Sequence, residues 1–384
     1  MKIKKGKTTI LYGLMAVLTL VLFTACDVSE SNDNLIEAPE TYEFTRNGSS
    51  SVAYPGQTDR LDMVEEIKAY IETANGSSTL SEQALIDMYE NTDGDGGGNF
   101  SFTSDRQIKN KTFQPDVDNG LFQNIFADAA DASENGSLGV PATNGVAGLI
   151  DRADGDPILV DANGREFSQI VAKGLMGATF YNQIFNVYLT DDRIGPSVDN
   201  VEVEEGKNYT SKEHHFDEAF GYWDPPLDFT SPWNKEDDGR FWSHYSNSVD
   251  EHLGTNKVIM DAFIKGRTAI VNDDQEALNA QVDILYENLE LVAAAVTIHY
   301  INSTLSDLNN GEQGEAFHHI SEAWGFLNAL KYSPQRKLSV EEVDQLKQFG
   351  ANGNFWDVTS ENLNTVKATL VETYPSLESV QDNL

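Results

Sequence analysis

Seven histidines occur in 384 residues, and four of them fall in two stretches of one pattern. "HHFDEAFGYW" begins at His214 and "HHISEAWGFL" at His318. A histidine and a glutamate four residues apart share one face of a helix, where they can bond one another or ligate one ion. A mixed nitrogen and oxygen set suits Zn or Fe better than Ca or Mg. The candidate metal ligands are His214, His215 and Glu218 in the first copy and His318, His319 and Glu322 in the second. Helix pairs from both copies can converge on one metal, as in four-helix carboxylate sites. A structural network stays open beside this. Buried carboxylates cost several kcal/mol when unpaired, and the same histidines could simply donate to them.

At about 100° per residue, His214 lies close to Glu218, with His215 some 60° beyond it and Gly221 to the other side of His214. Phe216, Phe220 and Trp223 occupy the opposite face. The second copy groups His318, His319, Glu322 and Gly325 against Ile320, Trp324 and Leu327. A glycine inside a helix costs about 1 kcal/mol of propensity, so its presence implies close backbone approach. The remaining histidines are weaker candidates. His244 and His252 stand too far apart for one small ion, and His299 sits in an apolar helix as a core residue would. Asp217 and Asp224 flank the first motif and have no counterpart in the second.

These residues need helices to present them. Thr210-Ser211-Lys212-Glu213 is a capping box, and Asp224-Pro225-Pro226 ends the first motif helix; the second begins after Asn310-Gly311. Each motif follows a long apolar helix, Phe167 to Leu189 in one case and Ala277 to Ile301 in the other. That is two copies of a helix–loop–helix unit, over about 165–225 and 276–332, related by a pseudo-twofold axis. Gly174 and Gly177 in the first long helix suggest close helix approach. Helical periodicity dominates from Arg60 onward and no βαβ alternation is present. The expected class is mainly α, a multi-helix bundle with a short N-terminal β-hairpin turning at Asn47-Gly48. "NTDGDGGGNF" resembles the start of a calcium loop, but Phe102 stands where a bidentate Glu must close it, so a plain loop is expected.

The N-terminus reads as a processing segment. Lys2, Lys4, Lys5 and Lys7 precede an apolar run from Ile10 to Phe23, too short to span a membrane comfortably. The run ends in Leu22-Phe23-Thr24-Ala25-Cys26, which is similar to a bacterial lipobox, and Cys26 is the single cysteine. The expectation is a signal peptide over 1–25, lipidation at Cys26, an acidic tether over 26–40 and one helical domain over 41–384. Membrane lipid is then a partner through Cys26, with the protein lipid-anchored in the cell envelope. Loss of the four leader lysines takes the net charge from −36 to −40. Such a field disfavours nucleic acid and helps solubility.

"YEFTRNGSSSVAYPGQTDRLDM", "RQIKNKTF", "REFSQIVAKGLMGATFYNQ" and "HHFDEAFGYW" together resemble an uncharacterised lipoprotein family of Bacteroidetes, a domain of unknown function. That resemblance implies an outer-membrane lipoprotein and no activity. The His-x-x-Glu cores at His215–Glu218 and His319–Glu322 are similar to those of imelysin-like envelope proteins linked to iron uptake. Glu213 and Phe317 stand where the imelysin pattern has glycine. The resemblance implies metal acquisition beside a TonB-dependent receptor. Three readings follow: a non-catalytic anchored protein that binds Fe, Zn or a metal complex; a structural or interaction lipoprotein; and, last, a metallopeptidase, for which no HExxH is present.

Overall fold

A computed structural model describes residues 35–113, 115–237 and 239–384. The signal run, Cys26 and most of the tether lie outside the described residues. Two short strands, β1 (Thr45–Arg46) and β2 (Ser49–Ser50), pair antiparallel around Asn47 and Gly48, both at positive φ, as the sequence predicts. Twelve helices follow among the described residues. They are α1 (Pro55–Glu72), α2 (Glu82–Glu90), α3 (Pro115–Ser137), α4 (Phe167–Leu175), α5 (Asp191–Ile194) and α6 (Ser211–Trp223). Then come α7 (Trp242–Leu253), α8 (Thr255–Val271), α9 (Gln275–Asn310), α10 (Gln313–Ala329), α11 (Val340–Leu346) and α12 (Ser360–Thr373). Between α3 and α4 lies a second hairpin, β3 (Gly148–Asp151) with β4 (Pro157–Val160). The protein is mainly α.

The long apolar helix from Phe167 is not a uniform rod. After α4 it widens into π turns over Met176–Tyr181 and Ile184–Tyr188. Outside donors accompany the change: Trp242 Nε1 donates to Met176 O (3.0 Å) and Phe113 N to Ala178 O (2.7 Å). A carbonyl taken by an external donor is free of the regular i→i+4 ladder, which is one way π segments are tolerated. Gly177 lies in this stretch, where a Cβ would come within 2.9 Å of Ala329 Cα on α10. Gly174 is pressed against Phe122 of α3. Both glycines therefore mark close approach, as expected.

The α4 unit with its π turns leads through a loop and α5 into α6, and α9 leads through Gly311 and Glu312 into α10. Among the described residues α9 alone is long and apolar enough to cross a membrane, yet 67% of its most apolar window is buried, as befits a core helix. Helix α6 carries the capping box of Thr210 and Glu213 and stops at Asp224, which adopts a left-handed turn before the prolines. Its aromatic face is fully buried: Phe220 stacks on Tyr42 (3.7 Å between centroids) and Trp223 on Phe263 (5.6 Å). The glycine-rich loop closes on itself. Asn91 accepts from Gly96 N and donates to Ser104 O and Arg106 O, so an amide holds what a calcium ion would hold in an EF-hand.

Candidate metal centre

On α10, His318, His319 and Glu322 can each offer a ligand atom such that all three lie within 4.8 Å of one another. No other group of three His, Cys, Asp or Glu does so among the described residues. His318 Nδ1 bonds Glu166 Oε2 (2.6 Å), and His319 Nδ1 bonds Asp307 Oδ2 (2.7 Å). Each imidazole thus has one nitrogen fixed by a carboxylate and the other, Nε2, directed away from it. Carboxylate–histidine pairs of this kind fix tautomer and ring angle and raise the basicity of metal-binding histidines. His318 Nε2 is 3.6 Å from Glu322 Oε2. Ligand atoms around a tetrahedral ion with bonds of about 2.0–2.1 Å sit roughly 3.4 Å apart, so the spacing is close to what an ion needs. Glu322 gives its other oxygen to Lys173 of α4 (3.3 Å), which leaves Oε2 for a monodentate role.

The surroundings are charged and half-sheltered. Glu166 is buried and also accepts from Ser168 Oγ (2.6 Å). Burial opposes its charge, but the bonds from His318 and Ser168 and the Arg152 guanidinium hold its carboxyl below the ordinary range. His318 shifts up: burial works against the imidazolium, and the Glu166 bond with the charges of Glu166 and Glu322 outweighs it. Arg152, at the tip of the β3–β4 hairpin, clamps Glu315 through two nitrogens (3.1 and 2.6 Å), and that bond holds Glu315 down at about 2. Glu315 Oε1 in turn stands 3.9 Å from His319 Nε2.

The first copy keeps the layout and spends its nitrogens differently. His214 Nδ1 donates to Ala53 O (2.9 Å), Tyr209 stacks on its ring (4.4 Å), and Nε2 is 3.9 Å from Glu218 Oε1. His215 Nδ1 donates to Arg193 O (2.9 Å), and its Nε2 accepts from Arg193 Nη1 (3.4 Å). Both nitrogens of His215 are therefore committed. Burial and the adjoining guanidinium lower its pKa and keep the ring neutral. Glu218 accepts from Gln57 Nε2 (2.9 Å) and Tyr188 OH (3.2 Å). The six candidate ligands do not assemble into one cluster: α10 gathers three, and those of α6 are tied to its neighbours.

The sequence profile of the domain of unknown function DUF4856 matches residues 39–376. The chain belongs to that family. No curated protein and no solved structure matches it. All six candidate ligands of this DUF4856 chain fall within the matched span.

Sequence reasoning missed the residues that orient the histidines. Glu166 opens the α4 unit and Asp307 sits in the last turn of α9, twelve residues before His319; neither belongs to the repeated pattern. His299 senses the charges of Glu322 and His319, so it borders this cluster, with its pKa lowered chiefly by burial. Tyr300 adds a ring 5.9 Å from His319. In the first copy, Asp217, which the sequence marks only as flanking the motif, turns out to be its anchor. It is fully buried and accepts from Arg267 Nε (3.0 Å), Tyr42 OH (2.9 Å) and Ala53 N (3.2 Å). Its counterpart by register is Ser321, which takes the Glu166 N–H instead.

Proposed function

We propose that this protein binds a transition-metal ion, Zn or Fe, through His318, His319 and Glu322, as a non-catalytic carrier or sensor in metal acquisition. The observation that carries the reading is the pair of carboxylate-fixed imidazoles, His318 on Glu166 and His319 on Asp307, beside the monodentate oxygen of Glu322. Three protein ligands leave a further position for water or for a donor atom of a metal complex. The structural reading is favoured for the first copy, where His214 and His215 bond backbone carbonyls and Glu218 is held by Gln57 and Tyr188.

The cellular setting we propose rests on sequence. The lipobox-like run ending at Cys26 supports a lipid anchor in the envelope, with outer-membrane placement implied by the resemblance to the Bacteroidetes lipoproteins. The His-x-x-Glu core shared with imelysin-like proteins supports iron over zinc and a TonB-dependent receptor as partner. A peptidase reading has no comparable support. Metal analysis of the purified chain after loading with Fe(II) or Zn(II) tests the proposal: one ion per chain is expected, and none from either metal would end it.

A further inference from the structure

The two copies of the motif differ in the sign of the charge that surrounds them. Glu166, Asp307, Glu315 and Glu322 outnumber Lys173 and Arg152 around the α10 histidines. Around Glu218 of α6 the balance reverses. Arg60, buried on α1, donates from Nε to Gln107 O and from Nη1 to Gly56 O (2.9 Å each), and among the described residues no carboxylate comes within ion-pair distance of it. The Nζ of half-buried Lys111 lies 5.9 Å from the centre of the Tyr188 ring and makes no hydrogen bond or ion pair among the described residues, while its carbonyl accepts from Asn182 and Gln183. Burial and the charge of Arg60, with smaller contributions from Arg193 and Arg106, push its pKa down against the pull of Glu218. Among the described residues, the side chain of exposed Arg193 reaches only His215. Lys111 thus feels the charges of Arg60 and Arg193, neither with a carboxylate of its own among the described residues, and that of Glu218, which is already held by Gln57 and Tyr188.

A second observation points to a missing partner. The Tyr222 hydroxyl is fully buried beside the Arg60 guanidinium, which can only donate to its oxygen, and among the described residues no acceptor takes the hydroxyl hydrogen. Buried hydroxyls are almost always bonded to protein, water or ligand. In a chain of net charge −36, an unneutralised cationic cluster is no general background; it is a local feature that attracts anions against the field of the whole molecule.

We infer that the first copy is a binding site for a small oxyanion with at least two negative oxygens, of the carboxylate or phosphate class. Lys111 supplies a point charge, Arg193 a forked donor from the exposed side, and Arg60 with Tyr222 the buried side. Duplication has on this account given two faces of opposite preference, and the anion site stands whether or not α10 holds a metal. Calorimetric titration of the purified chain with inorganic phosphate and, separately, with citrate tests it. The expected result is saturable binding of at least one anion, weakened about tenfold or more in Lys111→Met or Arg193→Gln, the loss expected for one charge-assisted bond. Lys257→Met, which removes an exposed cation paired with Asp261, is expected to leave binding unchanged. The preferred anion identifies the class. Arg193 is exposed, so its variant reports on binding without risk to the fold. Binding of neither anion at millimolar concentration, unchanged affinity in both site variants, or an equal loss in Lys257→Met would overturn the assignment.

Discussion

At the scale of single residues, the two His-His-x-x-Glu stretches carry similar side chains and different commitments. What separates them is the identity of the acceptor at Nδ1: backbone carbonyls of Ala53 and Arg193 in one copy, carboxylates of Glu166 and Asp307 in the other. A pH dependence follows from His318. Its folded pKa is raised above the ordinary 6.5, so its contribution to stability is full below that value and fades as pH rises through the folded pKa. Glu166, lowered from 4.5, contributes above that value and loses its contribution as pH falls through its folded pKa. The stability gap between metal-free wild type and His318→Gln should therefore be widest between these values and shrink as pH rises through the folded pKa of His318, as thermal melts across pH would show. Metal affinity should run the other way and rise over the upper part of that range, because the proton competes for the imidazole. The first copy is anchored by Arg267, fully buried with Nη1 on Glu213 Oε1 (2.9 Å) and Nε on Asp217 Oδ1 (3.0 Å). Burial lifts Asp217 to about 6 despite that guanidinium. Arg267→Leu would leave the fully buried Asp217 without a cation, while Glu213 keeps Arg46 (2.7 Å), and should cost about 3–5 kcal/mol in urea unfolding, the range for breaking a buried pair from one side. A loss under about 1 kcal/mol would show that solvent reaches the pair.

At the scale of elements, the glycine on each motif face is explained by what lies against it. A Cβ on Gly325 would sit 2.2 Å from Lys173 Cβ and 2.9 Å from the Lys173 carbonyl carbon, so α10 and α4 touch backbone to backbone there. Gly221 is pressed against Tyr54 just before α1 in the same way (2.6 Å). Gly325→Ala gains about 1 kcal/mol of helix propensity and meets an overpacking cost of about 1–3 kcal/mol or more, so the net change should be destabilising. A stabilised variant in chemical denaturation would mean that the helices are farther apart. The capping box, the Asn47-Gly48 hairpin and both motif helices were legible because each rests on local chemistry. Wide π turns after α4 were not, since they depend on Trp242 and Phe113 arriving from elsewhere in the chain. The β3–β4 hairpin is a different case. Asp154-Gly155 between Leu149-Ile150 and Ile158-Leu159 carries a turn signal, obscured by a polar, glycine-rich neighbourhood. Glu166 and Asp307 lay beyond sequence reasoning because their role exists only once α4 and α9 are packed against α10.

At the scale of the whole molecule, a DUF4856 chain of net charge −36 carries the His-His-x-x-Glu pattern on two helices, α6 and α10. The lipid anchor proposed at Cys26 predicts that Cys26→Ala moves the protein from the membrane fraction to the soluble fraction of cells; retention in the membrane would contradict it. Metal is proposed to bind at the second copy and not the first. The most direct test is metal stoichiometry by elemental analysis after Fe(II) or Zn(II) loading, compared across wild type, His318→Ala/His319→Ala and His214→Ala/His215→Ala. One ion per chain in wild type and in the His214/His215 variant, with none in the His318/His319 variant, is the predicted pattern. Retention of the ion by the His318/His319 variant, or its loss from the His214/His215 variant alone, would contradict the assignment.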